Sequence, residues 1–244
     1  MGFLTNNDTV IMSGGGRAGE GRSIMPSAAR KAFDASCQDI DRLLKVHTDL
    51  GGKAPGRRYG LEVLNKSAVV LITAFWEAYC EDLASEALQH LVSHAIAADQ
   101  LPEALRKQVA KELIRDPHEL AVWQVAGDGW RQVLQARLAA LKTDRDRKLN
   151  TPRTSNINEL FEQAVGIQKI STSWLVAGHK AASAATRIDH FVTLRGEIAH
   201  RGKALRSVRR TDVVEYYELV KMIASKTGGR VNTTVKAATG SSLW

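Results

Sequence analysis

From Ser27 onward the apolar residues recur every three or four positions, and Pro or Gly stands close to where most of the runs stop. That period is the mark of amphipathic helices, each burying one stripe, and their compact solution is helix packed on helix. Ser27 is placed to cap a first helix running to about Leu50, where Gly51 and Gly52 end it. After the loop GGKAPGRRYG the longest run spans roughly Leu61 to Ala98. Leu64, Leu71, Phe75, Ala78 and Leu83 set its period. Pro102 opens a short helix to about Arg115, and Pro117 closes it. Another helix is expected from Gly129 through Leu149, ending in the solvated charge run KTDRDRK. Asn156 is placed to cap NINELFEQAV, which stops at Gly166. Ser183 to Leu205 reads as helix, and Asp212 caps a final helix to about Thr227. Six or seven helices in an all-α, up-and-down bundle follow, with no convincing strand set.

The two ends read differently. Residues 1–26 contain SGGGRAGEGRS, too poor in apolar groups to offset the entropy of ordering it, and form an expected flexible leader. Residues 228–244 mix Gly, Thr and Ser without period and are expected to be a loosely held tail. The bundle would then occupy residues 27–227. Gly14, Gly16 and Gly19 match a dinucleotide fingerprint, and Gly16 to Ser23 nearly matches a phosphate-binding loop. Both motifs need a strand before and a helix after, the loop needs a Lys where Arg22 stands, and Pro26 follows too closely.

At 244 residues, 44% hydrophobic and 25% charged, the chain suits one or two globular domains and not a wholly disordered one. No run approaches the ~18 apolar residues of a membrane-spanning helix, and no secretory leader is evident, so no membrane partner is expected. Two distant cysteines, Cys37 and Cys80, fit a reduced cytoplasmic setting. His90 and His94 share a helix face, but Leu91 stands where a zinc protease has Glu, and no third ligand is spaced to join them. Neither a metal nor another cofactor is expected.

The formal charge of +8 points to a polyanion. Between Arg195 and Arg230 stand nine basic and four acidic residues, a local excess of five. On a helix, Phe191, Leu194, Ile198, Gly202 and Leu205 form one apolar stripe within about 80°. His200 then points away from that stripe, with Thr193 and Gly196 beside it, while Arg195 lies on its flank. Glycine costs about 0.8–1 kcal/mol relative to alanine inside a helix. On the His200 face it lets another backbone or a substrate approach closely.

Arg195-Gly196-Glu197-Ile198-Ala199-His200 resembles the R-x4–6-H motif of HEPN domains, an all-helical ribonuclease superfamily of prokaryotic toxin–antitoxin and defence systems. The chain is most similar to the RiboL-PSP-type (MAE-like) group. Like that group it has W-E-x-Y on an early long helix, here Trp76, Glu77 and Tyr79. It also has a T-P…N-I-x-x-L stretch before the motif helix, here Thr151, Pro152, Asn156, Ile157 and Leu160. Many members carry a polar residue, often Asn, after the Arg, where this chain has Gly196. The resemblance implies a metal-independent endoribonuclease acting as a homodimer, with two R-x4-H motifs meeting in a cleft between protomers. Arg195 and His200 would be catalytic, with Gly196, Glu197 and Glu77 in support. Arg201 and Lys203 would contact the RNA backbone. RNA and an antitoxin or defence-system protein are the implied partners. A second reading is a non-catalytic HEPN module that dimerises and binds RNA or a partner protein.

Overall fold

The computed structural model of the protein describes residues 26–51, 60–148, 151–175, 181–201 and 207–244. The leader up to residue 25, with its glycine motifs, lies outside them, as do Gly202, Lys203 and Leu205. Seven helices make up the described chain, with three short 3-10 turns and no strand. They are α1 (Ala28–Gly51), α2 (Glu62–His94), α3 (Glu103–Arg115), α4 (Gly129–Lys148), α5 (Thr154–Val165), α6 (Ala181–Arg201) and α7 (Arg210–Thr239).

The 33 residues of α2 extend about 50 Å and form the axis of the bundle, touched by α1, α4, α5, α6 and α7. A helix surrounded in this way has no single buried stripe. Val69, Ile72, Trp76, Cys80, Leu83 and Leu88 lie fully inside, each contributing on the order of 1.5–3 kcal/mol by burial. Leu64, Leu71, Phe75 and Ala78, four of the five residues that set the expected period, are only half-buried. The W-E-x-Y aromatics are core: Trp76 meets Trp174 edge-on at 5.9 Å between ring centroids. Tyr79 donates its hydroxyl to the Ala224 carbonyl of α7 at 2.9 Å.

Helix starts combine local and distant caps. Ser27 Oγ accepts the Arg30 N–H, as its position predicts, and the Glu86 carboxylate of α2 accepts the N–H groups of Ala28 and Ala29. The expected cap of α5, Asn156, is not one. It lies within the first turn and donates Nδ2 to the Thr151 carbonyl, while Asp189 of α6 accepts the Thr154 N–H at 2.7 Å. Gly166 closes α5 with φ +72°, and a Cβ there would stand 2.7 Å from the Leu105 nitrogen. Asp212 sits one turn inside α7, accepting the Arg209 N–H at 2.9 Å.

The largest departure from the sequence expectation is α7. It does not stop at Thr227 but continues as one helix to Thr239, burying Val231, Val235 and Ala238. Gly228 is therefore no terminator. Its missing Cβ is what lets α7 close on α2, because a Cβ would lie 2.8 Å from the Tyr79 hydroxyl. Gly228→Ala is expected to destabilise the fold by about 1 kcal/mol, overpacking at Tyr79 outweighing the helix-propensity gain. Urea denaturation measures this, and a stability equal to or above wild type would sink the close-approach account.

Candidate functional site

The last turns of α6 carry the motif. Phe191 and Leu194 are buried on its inner side, and the Phe191 ring stacks on Tyr216 of α7 at 4.2 Å. Tyr216 is fully buried and shares a 2.9 Å hydrogen bond with Thr73 of α2. One turn beyond Phe191 is Arg195, and one turn beyond Thr73 is Glu77. The floor under Arg195 is thus built by three helices.

Arg195 is half-buried, and its Nε is enclosed without a hydrogen-bond partner among the described residues. Its charge acts on two neighbouring groups. Burial pushes the Glu77 carboxyl up to about 7, the like charge of Glu81 adds to this, and Arg195 opposes both. Burial also raises the Tyr216 phenol, against the pull of its bond to Thr73 and of Arg195. A carboxyl raised towards neutrality by burial, within the electrostatic reach of a half-buried guanidinium, is an arrangement typical of working sites.

The outer side of α6 is different. Thr193 and His200 are exposed, two turns apart and close to one azimuth. Gly196 lies between them with no atom within 4 Å of where a Cβ would stand, so packing within the chain does not require a glycine there. Arg195 and His200 are about 140° apart around the helix, so one protomer does not aim both at the same point. Ile198, on the expected apolar stripe, is partly buried and packs against the core. Glu197 is half-buried. The Arg201 side chain and Lys203, the expected RNA contacts, lie outside the described residues.

The described cations between Arg195 and Arg230 do not form one patch. Arg209 and Arg210 are exposed where α7 begins. Lys226 and Arg230 lie roughly 24 and 30 Å further along that helix axis. Lys221 is occupied by Glu218 at 2.6 Å and rests over the Tyr217 ring. Along α7 the described cations are thus spread over about 30 Å, with Lys226 and Arg230 one turn apart.

One cation near the site escapes a reading by motif. Arg153, at the start of α5, donates Nη2 to Thr193 Oγ1 at 3.0 Å. It directly follows Thr151 and Pro152 of the T-P stretch, but its partner is 40 residues away. Elsewhere, His90 and His94 stack at 4.0 Å between centroids. His94 Nδ1 meets the His90 carbonyl, and His90 is held below its ordinary value by burial and by His94. Among the described residues no three His, Cys, Asp or Glu side chains are grouped to hold a metal ion. No described helix is long and apolar enough to cross a membrane.

An all-α bundle with this helix order, its Trp–Glu–Tyr segment on the central helix and an Arg/His pair on the penultimate one, is a HEPN-type fold. The model of the RiboL-PSP-HEPN family matches residues 35–231, most of the chain, and the protein belongs to that family. The match extends past Thr227 into the second half of α7, where the structure also carries the helix. No curated protein and no solved structure matches the chain. HEPN domains are nuclease or RNA-related modules, often ribonucleases, that commonly bind RNA and dimerise.

Proposed function

We propose that the protein is a metal-independent endoribonuclease of a toxin–antitoxin or phage-defence system, working as a homodimer whose Arg195-x4-His200 motifs meet in a cleft between protomers. The observation that carries this reading is the Nε of Arg195, enclosed without a partner among the described residues. A buried donor left unsatisfied costs about 1–3 kcal/mol, and a charged acceptor such as a phosphate oxygen recovers that cost. The exposed His200, and the open face at Gly196, fit an approach by a second protomer and by RNA. Because Arg195 and His200 diverge around α6, a cleft lined by two copies of the motif brings Arg and His together more readily than one copy does.

In this mechanism His200 takes the proton of a ribose 2′-hydroxyl, and the oxygen attacks the adjacent phosphorus. The P–O5′ bond breaks, and the leaving 5′-oxygen receives a proton from an imidazolium. The products are a 2′,3′-cyclic phosphate and a free 5′-hydroxyl. Arg195 holds the nonbridging oxygens, and its fork suits the charge that develops on them. Glu77, from below, balances the guanidinium. Requiring a 2′-hydroxyl selects RNA over DNA.

Purified protein incubated with RNA in EDTA should cleave it, and His200→Ala should lower the rate by 10²–10⁴, the usual worth of a general acid–base. No cleavage, or a rate unchanged in His200→Ala, sinks the proposal. Gly196 favours the second reading, a HEPN module that binds RNA or a partner protein without cutting it, because it stands where the motif of the family resemblance often has a polar residue. That reading expects salt-sensitive RNA binding and no cleavage by the wild type.

A further inference from the structure

Resting on the ribonuclease reading, we propose that Arg153 belongs to the same site as a substrate-positioning residue. It binds a backbone phosphate of single-stranded RNA laid across the outer face of α6, alongside His200.

The segment that carries Arg153 is anchored. Its own N–H donates to the Thr151 carbonyl at 2.8 Å, and its carbonyl accepts the Ile157 N–H at 3.0 Å. Pro152 before it is buried, and Asn156 Nδ2 also reaches the Thr151 carbonyl. Thr154, after it, is tied twice to α6, through its N–H to Asp189 and its hydroxyl to the Ala185 carbonyl. Arg153 is thus locked in register with α6, the helix that bears the motif.

The side chain completes the placement. Nη2 meets Thr193 Oγ1 at 3.0 Å, and Thr193 Oγ1 in turn donates to the Asp189 carbonyl. Thr193 precedes His200 by two turns, about 10 Å along the axis, on the same face. The guanidinium therefore touches the Thr193 end of the face that also carries Gly196, Glu197 and His200.

Like Arg106 on the Leu101 carbonyl, Arg153 is positioned by a neutral acceptor rather than by an ion pair among the described residues. Arg187 is paired with Glu215 at 2.7 Å, Arg137 with Glu112 at 2.6 Å and Arg30 with Asp34 at 2.8 Å. Among the described residues no carboxylate lies within ion-pairing distance of Arg153. Its partner is a neutral hydroxyl that uses one of five N–H donors, and the residue is exposed. A fixed fork with no carboxylate at ion-pairing distance, its nearest acid Asp189 being engaged by the Thr154 N–H, is matched by a phosphodiester oxygen pair.

The test measures binding of a labelled single-stranded RNA over a range of salt, on a His200→Ala background so that RNA is not consumed. Adding Arg153→Gln, which keeps a donor for Thr193 but no charge, should lower the slope of log affinity against log salt by about 0.7, one phosphate contact. Arg153→Lys should restore most of it, and the thermal midpoint should not move in either variant. A slope unchanged by Arg153→Gln, or no RNA binding at all, overturns the inference. Cleavage by wild type with a slope indifferent to Arg153 removes this contact and leaves the ribonuclease reading standing. An Arg153-dependent slope in a wild type that never cuts does the reverse.

Discussion

Replacing Arg195 by methionine should reduce RNA cleavage by 10²–10³ or more while leaving the fold at least as stable as before at pH 5.5. The first half follows from the role proposed for the guanidinium, since removing one preorganised donor to transition-state charge costs rates of that order. The second half follows from what Arg195 lacks. Its Nε is enclosed with no acceptor among the described residues, which leave it an unsatisfied donor. Methionine keeps the aliphatic stem beside Phe191 and Tyr216 and removes the donor, which should return roughly 1 kcal/mol. The pH matters because Arg195 also opposes the charge on Glu77. At pH 5.5 the Glu77 carboxyl holds its proton and needs no counter-charge. At pH 8.5 it is ionised, and the same substitution should then lose part of its advantage. Wild-type cleavage in Arg195→Met would remove Arg195 from the chemistry. A loss of several kcal/mol at pH 5.5 would make it a structural residue instead.

The second large effect concerns Glu77 itself. Its folded value, about 7, lies above the ordinary 4.5 because burial and Glu81 outweigh Arg195. The folded state therefore holds this proton more tightly than the unfolded chain does. Stability associated with Glu77 is complete below pH 4.5, falls as the pH rises, and levels off once the pH exceeds about 7. A fully enclosed carboxyl with such a displacement would lose roughly 3 kcal/mol across that window. Glu77 keeps part of its surface in water, and screening brings the expected loss to about 1 kcal/mol. Glu77→Gln mimics the protonated form and should abolish this part of the pH dependence. Denaturant titrations at pH 5, 7 and 8.5 should show the variant gaining on wild type as the pH rises. A gap that stays constant with pH contradicts the assignment.

Both predictions rest on residues that sequence alone put forward, for reasons it only partly contained. Helical phase at 100° per residue placed Arg195 on the flank of α6 and His200 on its outer face, and both positions hold in the structure. Nothing in the run of residues brings Glu77 to Arg195. They lie on different helices and come within electrostatic reach because α6 packs against α2. Trp76 and Tyr79, the more conspicuous part of the same segment, turn inward and serve the core. The periodic set on α2 failed for the same reason. A helix wrapped by five others buries more than one stripe, so the strongest period need not mark its most buried face.

Capping divides in the same way. Ser27 acts within its own first turn and could be read from its position. Asp189 and Glu86 cap helices that begin 35 and 58 residues away, and no local rule points to them. Gly228 is the sharpest case. By propensity a Gly-Gly pair ends a helix, and by packing it admits Tyr79 and lets α7 run on.

By itself, then, the sequence determined the helical class, most of the helix starts and stops, and which way the motif residues face around α6. Those properties depend on interactions within a turn or two. The tertiary structure decided which carboxyl stands by Arg195, which cation stands over Thr193, and where α7 ends. It also spread the described cations of α7 along the length of that helix. Each of these depends on close approach between helices far apart in the chain, where packing outweighs local preference.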